Sequence, residues 1–231
     1  MSYGLAGGLS NAWSIAWKDL QTEIRTKESL NAAVSFSLVV LVLFSFAFDL
    51  GREELLSISG GLLWLVFVFA GALIVNRSFA RELPNDCLDV LVASPVPGWS
   101  IFLGKAIAGF ILMMIVELIS LPVFGVFYNI HWAATFPQIF LVMLLATWGI
   151  AVVGSAFSAV TVNVRLRELM LPVVLYPILI PLLTGAMTLT GALLNGETVF
   201  GDNNAWLRLL IVFDLIYTSL AVFLIEYILV I

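Results

Sequence analysis

Charge is what this sequence has least of. Of its 231 residues only 11% are Asp, Glu, Lys or Arg, against about 25% in an ordinary soluble domain. It has one cysteine, Cys87, which excludes an internal disulfide and any multi-cysteine metal site. It has one histidine, His131, and a solitary loop histidine beside Trp132 is too little for a metal or heme site, although histidine is a common axial ligand of heme iron. No G-x-x-x-x-G-K-[ST] run occurs, and Ser57-Ile58-Ser59-Gly60-Gly61 is not one, so the chain cannot hydrolyse a nucleoside triphosphate by itself. No nucleophile–base set, repeat or flexible linker is visible. Residues 1–29 lack the apolar segment of a cleavable signal and lead directly into a longer apolar run.

What the chain has instead is hydrophobicity. Hydrophobic residues make up 62% of it, and its mean hydropathy is +1.12. Six apolar runs stand out, at about 30–48, 55–75, 101–128, 136–162, 169–194 and 207–231, and each is long enough to cross about 30 Å of hydrocarbon. Without strand-type alternation, only helices can do so. The expected fold is therefore all-α and integral to a membrane, one domain over residues 1–231.

With six spans both termini share a side. On that side lie Lys18, Arg25, Lys27, Arg77, Arg81, Lys105, Arg165 and Arg167, and on the other only Arg52 and Arg208. The positive-inside rule then puts both termini in the cytoplasm. Tyr128, Trp132 and Trp206 fall at the outer boundaries, where aromatic residues anchor helices at headgroup level.

Residues 10–28 read as an interfacial helix. Trp13, Ala16, Trp17, Leu20 and Ile24 follow the spacing of one apolar face, and Lys18, Gln21, Thr22 and Arg25 fall mostly opposite. Ser10 or Asn11 can cap its start, and Glu23 with Lys27 makes an i,i+4 pair. The helix serves either as an anchor alone or as an anchor that also meets a partner.

Residues 77–100 form the one substantial polar stretch between spans. Arg77 and Arg81 close the second span, and Pro84 interrupts any continuing helix. Asn85 can cap a short new one, with Asp86 and Asp89 in its first turn. Leu88, Leu91 and Val92 share a face of that helix. Ser94 to Gly98 make a turn; Ser100 can cap the third span, and Lys105 can snorkel to the headgroups. By pattern alone this is either a solvated loop resting its Leu face on the bilayer or a short helix passing motion from a cytosolic motor to the spans.

Glu117 lies about 18 Å along the third span from Lys105, near the bilayer centre. A charged carboxylate there costs roughly 2.5–3.5 kcal/mol, and no basic residue lies at its depth. It is expected neutral, as an interhelical hydrogen-bonding group or as part of a gate or path. Asp214, about two turns inside the outer end of the last span, and Glu226 are expected to face other helices. Pro172, Pro177 and Pro181 in the fifth span either fit its packing or permit a hinge.

The polar loop resembles that of the heme exporter protein B family, the membrane-spanning subunit of the ATP-binding-cassette complex in cytochrome c maturation. The likeness rests on Trp64 with Phe69-Ala70, Asn76-Arg77-Ser78-Phe79 with Glu82, Leu88-Asp89-Val90-Leu91, Ser94-Pro95-Val96 and Ile101-Phe102-Leu103-Gly104-Lys105. Further on it includes Val116-Glu117-Leu118, Arg167-Glu168 with Leu171-Pro172, and Ile180-Pro181-Leu182-Leu183. Lys18-Asp19-Leu20 with Glu23 and Arg25 is similar to the family's N-terminal helix. The likeness runs from about residue 12 to about 190; the last span matches in hydrophobicity only.

The resemblance implies an exporter permease of the ABC-2 type in a bacterial inner membrane, with a coupling helix between spans two and three. Arg81, Glu82, Asp86, Leu88, Asp89 and Leu91 would couple it to an ATPase. The implied partners are a cytosolic ATPase of the heme exporter protein A type, which binds the ATP and Mg, and a heme-handling membrane subunit of the C type. A small one-span subunit of the D type and a membrane-anchored heme chaperone complete the assembly. Heme would be handled by the complex, with no cofactor bound directly by this chain. Two other functions stay open: a related ABC-2-type exporter of lipid, polysaccharide or drug, and a proton-coupled secondary transporter working through Glu117 and Asp214.

Overall fold

The computed structural model describes residues 5–47, 52–82, 87–161 and 167–229, and among these no strand occurs. The helices are α1 (Leu5–Thr26), α2 (Glu28–Ala47), α3 (Arg52–Val75), α4 (Cys87–Ala93), α5 (Gly98–Phe127), α6 (Phe136–Thr161), α7 (Arg167–Leu194) and α8 (Asn204–Leu229). Six of them, all but α1 and α4, are long and apolar enough to cross a membrane. Short 3-10 turns follow α3, at Ala80–Glu82, and precede α6, at Ala133–Thr135.

Helix α5 is central. It packs on α1, α2, α3, α6 and α8, while α6 joins it to α7 and α8. Helix α3 is buried nearly all round, with Leu63, Trp64, Val66, Phe67, Ala70 and Val75 in the core. In lipid the apolar surface itself gives little drive for helices to associate, so close packing and interhelical hydrogen bonds must supply it. Both are present. A Cβ on Gly60 of α3 would lie 2.4 Å from the Met187 carbonyl of α7, so the two backbones meet there. The Trp64 indole N–H donates to Thr190 Oγ1 at 2.9 Å across the same pair.

Several local expectations change. Helix α1 begins at Leu5, before Ser10 and Asn11, because Gly8 packs directly on the Trp99 ring and the helix continues through it. Helix α5 starts at Gly98 with Pro97 as its N-cap, and Ser100 donates instead to the Gly8 carbonyl at 2.5 Å. Tyr128, at the end of α5, is buried, its hydroxyl donating to the Leu41 carbonyl at 2.9 Å. Helix α7 runs unbroken through Pro172, Pro177 and Pro181.

The 30 residues of α5 extend about 45 Å at 1.5 Å each, some 15 Å more than the hydrocarbon core. Helix α1 packs along the N-terminal end of α5. A second apolar cluster forms there from Ile15, Phe79, Ile101, Phe102, Ala106, Ala159 and Ile225. This Lys- and Arg-rich end of the bundle is called the basic end below.

Candidate functional site

The basic end holds three sets of paired charges. At the centre is Lys105, whose side chain is 1% exposed. Its ammonium donates to Asp19 Oδ2 at 2.9 Å, Glu82 Oε1 at 2.7 Å and the Ser78 carbonyl at 3.1 Å. An ammonium has three donors, and all three are used. Lys18 reaches the same Glu82 oxygen at 2.5 Å and lies 3.4 Å from Asp19. Two cations thus face two carboxylates, drawn from α1, the turn after α3, and α5.

A second set joins α1 to α2. Glu23 is fully buried; its carboxylate accepts the Leu30 amide at 2.8 Å and pairs with the Arg81 guanidinium. Arg81 also donates to Ser29 Oγ at 2.6 Å. Burial opposes ionisation of Glu23, but the Leu30 amide and Arg81 outweigh it and hold the carboxyl below the ordinary Glu value. Burial likewise opposes the charge of Lys18, and its contacts with Glu82 and Asp19 outweigh that and raise its pKa. Arg77 pairs with Glu28 at the surface, where an exposed pair contributes only about 0–1 kcal/mol.

These pairings revise three readings of the sequence. Lys105 does not snorkel to the headgroups, because two carboxylates reach it inside the protein. Glu23 pairs with Arg81 rather than Lys27, which lies past the end of α1 at φ 55°. The buried stripe of α1 is Ala12, Ile15, Ala16, Leu20 and Glu23, whereas Trp13, Trp17 and Ile24 are exposed on a second apolar face together with Leu9. Periodicity merged the two stripes because Ala16 and Leu20 lie next to the tryptophans on the helical wheel. Arg25 is exposed. Close contact with α5 fixes which stripe faces inward: a Cβ on Gly104 would lie 2.7 Å from the Ala12 carbonyl and 2.8 Å from Ile15 Cβ.

Helix α4 forms as expected between the second and third spans. Asp86 lies outside the described residues, as do the side chains of Leu88 and Asp89. Leu91 packs on the apolar cluster of the basic end. Cys87, Val90 and Ala93, three apart on one face, are exposed, and Val90 is 70% so. The sequence reading passed over Val90 because it sought apolar residues on a single face. With Leu91 packed on the cluster, Val90, about 100° away around the helix, is left exposed. Arg81 and Glu82, read as coupling residues, are engaged in ion pairs with Glu23 and Lys105.

Polar groups also meet deep in the bundle. Thr147 of α6 donates to Glu117 Oε1 of α5 at 2.7 Å, and the other Glu117 oxygen has no partner among the described residues. Asp214 of α8 is buried beside Gly149 of α6, with neither oxygen hydrogen-bonded among the described residues. Both carboxyls lie ten residues from the ends of their helices opposite the basic end, about 15 Å along the axis. Asp214 is deeper than the expected two turns because α8 starts at Asn204 rather than residue 207. Thr147 and Gly149 are about 200° apart around α6, so that helix separates the carboxyls. Glu226, expected to face other helices, is exposed. His131 is exposed. Among the described residues no group of three or more His, Cys, Asp or Glu could hold a metal ion.

Six membrane-length helices around an ion-paired basic end make this a multi-pass membrane protein. The chain belongs to the CcmB protein family, which matches residues 10–230. It is 29% identical to heme exporter protein B of Rhodobacter capsulatus over 72% of this chain and 76% of that protein. It is 28% identical to heme exporter protein B of Paracoccus denitrificans over the same shares, 72% and 76%. With the Pseudomonas aeruginosa protein of that name it shares 26% identity over 86% of this chain and 87% of the relative.

Proposed function

We propose that this chain is the membrane-spanning permease subunit of a heme-exporter-type ABC complex serving cytochrome c maturation, and that it couples ATP hydrolysis by a partner to heme delivery on the outer side. Family membership carries the class, and relatives named heme exporter protein B supply the substrate. The observation that carries the coupling role is α4, a short helix between α3 and α5 that turns Val90 outward while Leu91 packs on the basic end.

In this reading the chain is not an enzyme. ATP and Mg belong to a cytosolic ATPase subunit docked on α4, and heme is handled by the complex rather than held as a resident cofactor here. The heme-handling subunit, the one-span subunit and the outer heme chaperone assemble with it. The membrane is the bacterial inner membrane, with both termini in the cytoplasm, as the distribution of Lys and Arg supports. Arg81 and Glu82 transmit movement from α4, and Asp86, Leu88 and Asp89 belong to the docking segment with Val90. A proton path through Glu117 and Asp214 is less well supported, because α6 lies between them.

Copurification from mild detergent tests the coupling role. Val90→Asp and Asp89→Lys are expected to release the ATPase at least tenfold more readily while the chain accumulates normally. Retention of the ATPase by both variants overturns the assignment of α4.

A further inference from the structure

We propose that Lys105 is the positioning residue through which movement of α4 reaches α1 and α5, and that the cluster around it stays closed while the transporter works. The proposal rests on the reading of α4 as the ATPase contact.

Both chain connections of α4 end on this cluster. On one side four residues separate Cys87 from Glu82, and an extended chain spans at most about 3.6 Å per residue. On the other, residues 94–97 lead into α5, which carries Lys105 two turns from its start. Displacement of α4 therefore acts on Glu82 and on the base of α5 together. Lys105 binds both, since its own helix is α5 and its ammonium holds Glu82 and the Ser78 carbonyl. Through Asp19 it also holds α1, which Lys18 ties to Glu82 a second time.

The cluster is built to hold rather than to open. Among the described residues Lys105 is the only buried basic side chain, and all of its donors are used. Opening it would leave an ammonium in a closely packed region. Asp19, Ser78, Arg77 and Arg81 line a small pocket beside it. Gly104 also seats α1 directly on α5. The carboxylates of Asp19 and Glu82 thus fix the ammonium as a three-way joint, and the block they form moves as one piece.

The test uses the whole complex with its ATPase bound and three readouts: ATPase copurification, ATP hydrolysis, and cytochrome c assembly in cells. Lys105→Met is expected to keep the ATPase and its hydrolysis within twofold of wild type, while cytochrome c assembly falls at least tenfold. Normal assembly in that variant overturns the proposal, as does a parallel loss of docking. If Lys105→Met does not accumulate, Asp19→Asn takes its place, with a three- to tenfold loss of assembly expected and wild-type assembly overturning it.

A second arm separates a closed joint from an opening one. Hydrogen exchange of the whole complex with its ATPase bound is followed across α1, residues 5–26, with and without ATP and Mg. Exchange in α1 is expected to stay within twofold while the ATPase turns over. A larger rise that appears only during hydrolysis shows that the joint must open, and overturns the proposal. An unsubstituted chain that holds no ATPase overturns the parent reading and this proposal together, which separates that failure from the others.

Discussion

A lysine with 1% exposure is tolerable only because three acceptors enclose it. Removing one partner of a buried ion pair costs about 3–5 kcal/mol, because the other charge is left behind. Glu82→Gln is therefore expected to destabilise the basic end far more than Glu28→Gln, whose pair with Arg77 is exposed. Thermal unfolding of the detergent-solubilised protein would rank the two. Glu23 adds a pH dependence. Its pKa is held below the ordinary Glu value of 4.5, so its contribution is fully present above that pH and is lost as pH falls through the lower, folded value. Glu23→Gln is expected to lower the midpoint at pH 7 and to flatten the acid limb below about pH 4.5; a parallel shift at every pH contradicts this. At Glu117 the contact to keep is the hydrogen bond from Thr147. Gln retains an acceptor there without bringing a charge, so Glu117→Gln is expected to accumulate and function near wild type. Glu117→Lys should accumulate poorly, since a buried ammonium without a partner costs roughly 2.5–3.5 kcal/mol at mid-membrane. Loss of function in an assembled Gln variant would instead assign the acidic proton a role.

Among the elements, α1 is distinctive in having two adjoining apolar faces, with Lys18 and Arg25 on the side away from both. One face seats on α5 through Ile15 and Gly104, and the other exposes Trp13 and Trp17. Gly104→Leu is expected to lift α1 from α5, because overpacking at a backbone contact costs about 1–3 kcal/mol. Hydrogen exchange should rise across residues 5–26 while α6 and α7 remain protected; unchanged exchange in α1 contradicts the docking. The two stripes also show where periodicity stops being informative. Sequence spacing located an amphipathic helix correctly in type, but Trp17 and Leu20 are both apolar, and only contact with α5 decides which of them is inside. The same holds for α4: its existence followed from Pro84, Asn85 and the turn at Ser94 to Gly98, whereas the outward position of Val90 depends on where Leu91 finds its partners.

The whole molecule is a bundle of membrane-length helices with its ion pairs gathered at one end. His131 is exposed, far along the chain from that end, and His131→Ala is expected to support cytochrome c assembly at wild-type level. Failed assembly with normal accumulation would give that residue a role at the outer side. The isolated chain is expected to show no ATP hydrolysis above a vector control, since no phosphate-binding loop is present in the sequence.

The sequence by itself determined the membrane as solvent, the number of helices that can cross it and the family. These follow from composition, from runs of about 20 apolar residues and from motifs in fixed order, all of which are local properties of the chain. The place of Glu117 well inside its helix, ten residues from the end of α5, was legible for the same reason, since depth along a helix is a count of residues. Partner choice was not. That Glu23 takes Arg81 instead of Lys27, or that Lys105 takes Asp19 and Glu82 instead of the headgroups, depends on the docking of α1 against α5 and the turn after α3. Those residues are up to 86 positions apart. Charges find partners through space, and only the tertiary structure sets which ones come within 3 Å.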